Sequence, residues 1–261
     1  MSQFNSFDEK RHTAIYVRIS TASHKTDRQQ EELTSYAELN QLNFNRNLDV
    51  FIDVVSVGCR GGHPDRSKWY HNYGYGNLRD YGLEDEKYAI QQLAGRYSFI
   101  DINRVGIHGH SGGGFMSTAA ILKYPDFFKV AVSGAGNHDN SIYNRSWSER
   151  HHGIEEILEE EEVKFKYSID KNQDIAGNLK GHLMLICSDT DNNVHPSNTM
   201  RVVNALIRHN KRFDMLVMPG QRHAFGDMQE YVFWRMVDYY SEFLLGSSNR
   251  SQPDITQLNN D

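Results

Sequence analysis

From about residue 44 onward, short apolar runs alternate with longer stretches of helical spacing. Val50–Val57 is β-branched and runs into Gly58-Cys59-Arg60-Gly61-Gly62, the pattern of a strand followed by a loop. Leu83–Leu93 carries apolar side chains at Leu83, Tyr88, Ala89 and Leu93, close to helical spacing. Arg104–Gly109 predicts a strand, Phe115–Lys123 a helix closed by Pro125, and Phe128–Ser133 a strand. Leu183–Cys187 predicts a strand. Asn198–His209 predicts a helix with Val202, Val203, Leu206 and Ile207 on one face. Phe213–Met218 predicts a last strand and Tyr231–Leu245 an aromatic closing helix. Alternation of this kind predicts an α/β fold, a mostly parallel sheet with helices on both faces.

Two segments depart from the alternation. Glu155–Glu162 holds six glutamates among eight residues and is expected to be a solvated helical face. Residues 247–261 are rich in Ser, Asn and Gln and are expected to be a frayed tail.

Composition narrows the class. With 261 residues, 24% charged, 38% hydrophobic and a formal charge of −6, the chain reads as globular rather than disordered or membrane-spanning. No run approaches 18 apolar residues. The polar start, Met1–Arg11, lacks the apolar core of a signal peptide, so the chain as written is expected in the cytoplasm. A pI near 6.1 makes nucleic acid an unlikely partner. Cys59 and Cys187 each lie at the end of an apolar run and are expected to be small buried hydrophobes.

The chemistry concentrates in Gly109-His110-Ser111-Gly112-Gly113, a G-x-S-x-G sequence between a predicted strand and a predicted helix. In such an elbow the glycines let the chain turn tightly, the serine hydroxyl points out of the sheet, and the N–H of Gly112 can face a developing oxyanion. A serine hydroxyl needs a base and an orienting acid, which follow the serine in the order acid, then histidine. Asp191 lies just after the fourth of these strands, and His223 just after the fifth. Both therefore fall on the sheet edge where open α/β folds gather their sites. Of the 13 histidines, His108 and His110 flank the elbow and cannot fold back to serve Ser111. His138, His151 and His152 precede the acid, and His195 is too close to it. Asp189 competes with Asp191 on position.

At these residues the chain resembles the catalytic domain of the prolyl oligopeptidase family, most closely its dipeptidyl-peptidase branch. The matching stretches are Gly109–Gly114, Asp191–His195, Gly220–Phe225, Tyr143–Gly153 and Gly76–Leu93. The resemblance implies an α/β-hydrolase-type sheet, with Ser111 as nucleophile, Asp191 rather than Asp189 as acid, and His223 as base. It implies that Tyr143, Trp147 and Val194 line the pocket for the residue before the scissile bond, and that Asn193 binds a substrate carbonyl. No metal or organic cofactor is implied; a short peptide is the implied substrate, and a homodimer is left open as a partner. Full-length relatives are often exported. There are departures. Relatives usually carry a β-propeller, for which this chain has no room, and the usual first strands of the sheet are missing. So is the upstream tyrosine that normally donates a second oxyanion hydrogen bond. Losing one such donor costs a factor of about a hundred to a thousand in rate.

The N-terminal segment resembles a second family. Ala14–Thr21 and Asp27–Leu33 look like the start of a serine recombinase (resolvase/invertase) domain, which would make Ser20 a nucleophile and Arg18 a phosphate ligand. The match covers about 30 residues, and residues 1–43 carry five Lys/Arg against six Asp/Glu, no footprint for DNA. The expectation is a strand, Ile15–Ile19, and a helix, Gln29–Leu39, left by a fusion and covering part of the sheet flank. The expected organisation is a remnant over 1–43, a hydrolase domain over 44–246 and a tail over 247–261. The expected function is a serine peptidase, with a carboxylesterase or a catalytically impaired fusion as alternatives.

Overall fold

The computed structural model describes residues 15–19, 67–98, 100–159, 162–166 and 168–246. The strand expected over Val50–Val57, the helix over Gln29–Leu39, Cys59 and the tail lie outside the described residues.

Among the described residues, the main sheet has five parallel strands: β1 (Ile15–Ile19), β2 (Val105–His110), β3 (Phe128–Gly134), β6 (His182–Ser188) and β7 (Asp214–Met218), in that spatial order. The expected strand at Ile15–Ile19 lies alongside β2, from Ile15 opposite Val105 to Ile19 opposite Gly109. It makes the serine-bearing strand an interior one. The helices of two turns or more among the described residues are α1 (Leu83–Arg96), α2 (Gly112–Lys123), α3 (Arg145–His152), α4 (Ser197–Arg208) and α5 (Gln229–Tyr240), the last continuing as a π-turn over Ser241–Leu245.

Alternate strand residues feed two cores, as the two-residue side-chain period requires. Ile107, Ala131, Leu183 and Leu185 pack with Phe115, Leu122, Val202 and Leu206 on the face of α2 and α4. Val130, Val132, Met184 and Ile186 pack with Met236, Tyr239 and Leu244 on the face of α5. One glycine lets α5 approach: a Cβ on Gly106 would stand 2.5 Å from the Tyr240 ring. Tyr240 Oη then donates to the Ile107 carbonyl at 2.6 Å. Cys187 is buried as expected, and burial pushes its thiol up to about 11.

The glutamate-rich segment corrects the expectation. It is not a helix but an antiparallel hairpin, β4 (Glu155–Glu159) with β5 (Glu162–Lys166), apart from the main sheet. On a helix these carboxylates would crowd one another three and four residues apart with no cation among them. In the hairpin Lys166 comes opposite Glu155 and Lys164 reaches Glu159, while Leu158 pairs with Val163. The informative signal was the two-residue alternation Val163-Lys164-Phe165-Lys166, just beyond the acidic run.

Candidate active site

β2 ends at an elbow. Ser111 has φ 58° and ψ −119°, a conformation that costs an L-residue roughly 1–3 kcal/mol and persists only where its surroundings enforce it. Those surroundings are backbone. The Ser111 N–H donates to the Gly134 carbonyl at 2.8 Å, and its carbonyl accepts from Phe115 N at 3.0 Å, opening α2. Glycine at 109 is obligatory, because a Cβ there would stand 2.2 Å from the Gly113 carbonyl oxygen. Gly112 is different: its Cβ position is open space, and the residue is exposed at the first position of α2. N–H groups at that end of a helix have no partner within it and carry the positive end of its dipole.

Two loops from the same sheet edge complete the arrangement. The ring of His223, following β7, has Nε2 2.9 Å from Ser111 Oγ and Nδ1 2.8 Å from Asp191 Oδ2. The Nδ1–H donating to the carboxylate leaves Nε2 as the acceptor that can take the serine proton. Asp191, after β6, has a side chain only 2% exposed. Its other oxygen, Oδ1, accepts from the N–H groups of Asn193 and Val194, each at 2.9 Å, so the carboxylate is aimed by its own loop. Asp189 does other work: its Oδ1 accepts from Gly220 N at 2.7 Å and ties down the start of the histidine loop.

Of the remaining residues singled out by sequence, Tyr143 is joined to this line. Its hydroxyl donates to Asn193 Oδ1 at 3.2 Å. Trp147 lies edge-on to Tyr143, ring centroids 5.3 Å apart, and stacks on His151 at 4.3 Å. Val194 is buried. Ser20 and the side chain of Arg18 lie outside the described residues. The ring of His110 lies 4.9 Å from that of His223 and edge-on to Phe225. Its place on the flank of the elbow gives no sign of this contact.

Sequence reading missed a buried polar layer in the loop after β3. His138 is fully buried, and Asn172 Nδ2 donates to its Nδ1 at 3.1 Å. Burial alone pushes its pKa down to about 3, so the ring is neutral. Asp139 beside it is a buried carboxylate. Burial opposes its charge, but hydrogen bonds from Ser141, Arg201 and Gln173 outweigh that and hold its pKa below the ordinary value. The only signal for this layer was the density of side-chain amides and acids in Asn137-His138-Asp139-Asn140.

The profile of the prolyl oligopeptidase family matches residues 43–247. The chain belongs to that family. It is 32% identical over 171 residues to dipeptidyl peptidase 8 of Homo sapiens, which covers 66% of this chain and 19% of that protein. It is 29% identical over 191 residues to dipeptidyl peptidase family member 1 of Caenorhabditis elegans, covering 72% of this chain and 22% of that one. A crystal structure of a candidate dipeptidyl aminopeptidase IV from Bacteroides ovatus superposes with a TM-score of 0.62 at 26% identity, over 71% of this chain and 25% of that one. The dipeptidyl peptidase 4 of Porphyromonas gingivalis shares the fold with a TM-score of 0.61. The chain thus spans about a fifth of the length of the curated relatives it matches. Among the described residues no helix is long and apolar enough to cross a membrane.

Proposed function

We propose that the chain is the catalytic domain of a serine peptidase that cleaves short peptides by acyl transfer, in the manner of a dipeptidyl peptidase. The observation that supports this most is the unbroken hydrogen-bonded line Ser111–His223–Asp191 above a strained elbow. In this reading His223 Nε2 takes the Ser111 proton as the oxygen attacks the peptide carbonyl. Asp191 keeps the imidazole in the right tautomer and balances its charge. The Gly112 N–H receives the oxyanion at the positive end of α2. His223 then passes the proton to the leaving amine, and water hydrolyses the acyl-enzyme by the reverse proton route. Tyr143, Trp147 and Val194 form the pocket before the scissile bond, and Asn193 holds a substrate carbonyl. The catalytic unit runs over 44–246, with 1–43 and 247–261 as appendages. A homodimer, also proposed, is tested by sedimentation of the purified chain.

Labelling by a fluorophosphonate probe tests the core of this reading. The wild-type chain should be labelled, and Ser111→Ala and His223→Ala should each lose labelling by about a thousandfold or more. A folded wild-type chain that takes no label, or labelling that survives Ser111→Ala, overturns it.

A further inference from the structure

Asp139 has no step in acyl transfer, yet its carboxylate is fully buried, where an uncompensated charge would be costly. It is compensated to capacity. Oδ1 accepts from Ser141 N at 3.0 Å and from Ser141 Oγ at 2.5 Å. Oδ2 accepts from Gln173 Nε2 at 2.6 Å and from Arg201 Nη1 at 2.5 Å. Four acceptor sites are about what an ionised carboxylate offers.

What these bonds connect is informative. Asp139 stands in the loop after β3 that leads to Tyr143 and Trp147. Arg201 stands on α4, three residues beyond Asn198 and so on the same helix face. Asn198, almost fully buried, accepts from the Asp139 N–H at 3.0 Å through its Oδ1. Its own N–H and its Nδ2 both donate to the His195 carbonyl, at 2.9 and 3.2 Å. His195 closes the acid loop that begins at Asp191. The pocket loop and the acid loop are therefore joined twice: at the base, where the Asp139 N–H donates to Asn198 and Arg201 of the same helix donates to the Asp139 carboxylate, and at the rim through Tyr143 and Asn193. Two attachments between the same two loops fix their mutual orientation, whereas one would leave a hinge. The Asp191 carboxylate has independent support from the N–H groups of Asn193 and Val194 and from His223. The aromatic pair Tyr143–Trp147 follows Asp139 by a short stretch that is held to α3 where Ser148 Oγ donates to the Asn140 carbonyl at 2.8 Å.

We propose that, granted the serine-peptidase reading, Asp139 and Arg201 are positioning residues that hold the Tyr143–Trp147 pocket in register with the acid loop, setting how well a peptide is bound without setting how reactive Ser111 is. A small phosphonylating reagent needs only Ser111 and His223. A peptide must also be seated by the pocket. Misplacing a positioning group by about an ångström costs up to roughly a hundredfold.

The test compares two probes on the full chain. One is the fluorophosphonate; the other is the dipeptide boronate alanyl-boroproline, which also captures the serine but must seat its side chains first. Asp139→Asn and Arg201→Gln should each weaken inhibition by the boronate about tenfold or more, while fluorophosphonate labelling stays within about twofold. Arg201, whose side chain is 46% exposed, carries the test if Asp139→Asn does not fold. Unchanged boronate inhibition overturns the proposal, and so does an equal loss for both probes, which would mark a merely structural role. A wild-type chain that takes no fluorophosphonate, or a Ser111→Ala variant that still does, removes the serine-peptidase reading itself and the positioning role with it.

Discussion

At the rim of the main sheet, loops from three strands converge on a line of side chains withdrawn from water, with Asp191 2% and His223 20% exposed. The β4–β5 hairpin stands in solvent, every residue of β5 exposed and only Ile157 of β4 partly covered. Both regions bring charged groups together, but by different means. At the rim the partners are 32 and 112 residues apart, and it is the packing of the sheet on two cores that delivers them. In the hairpin the partners are neighbours across one turn, paired at exposed positions where an ion pair contributes about 0–1 kcal/mol. A two-stranded ribbon of this kind is marginal by itself. The rim is therefore where small changes should be felt, and the hairpin where large ones should be tolerated.

Gly109→Ala should show the largest effect on stability. The new methyl would lie 2.2 Å from backbone oxygen that cannot step aside, so the elbow must open, at a cost of order 3 kcal/mol or more in chemical denaturation. Stability equal to wild type would mean that the elbow is not built as described. Acid should also destabilise the fold. His138 and His152 are both buried, and burial depresses their pKa values to about 3 and about 4. The unfolded chain binds protons at these rings as pH falls through about 6.5, while the folded chain does not until much lower. Stability is therefore full above about 6.5 and is lost on acidification, by up to about 1.4 kcal/mol per pH unit for each ring, until the folded values are reached. Thermal unfolding followed against pH checks this, and His138→Gln should flatten the slope between about 6 and about 4. An identical slope in wild type and variant would discount His138. The smallest effect belongs to the hairpin. Leu158→Ser and Phe165→Ser, at side chains 76% and 68% exposed, should leave unfolding within about 0.5 kcal/mol of wild type. A larger loss would show that the hairpin is packed against something and is not the loose region of this comparison.

The strands of the main sheet were legible because burial on both faces writes them as short, mostly apolar runs: Phe128–Gly134 and His182–Ser188 extend the predicted runs by one residue at one or both ends, and Val105–His110 is the predicted strand shifted by one residue. The helix after the elbow was legible in kind but not in start. Its first turn is Gly112-Gly113-Gly114, which carries no helical periodicity and is helical because the elbow sets it up. The glutamate run was misread because composition speaks to solvation and not to backbone conformation. The lysines that decide for a hairpin lie beyond the run itself. The polar layer around Asp139 showed in the sequence only as a local density of polar side chains, since its partners Gln173, Asn198 and Arg201 come from two distant elements.

The order of strands and helices, the glycine that an elbow demands at 109, and the succession Ser111, Asp191, His223 are properties of the chain read along its length, because side-chain period and steric volume act locally. The meeting of His110 with His223, the tie from Asp189 to Gly220, and the burial of Asp139 between two loops belong to the tertiary structure. Hydrogen bonds reach only about 3 Å, and which groups come that close is decided by how the sheet and its helices pack.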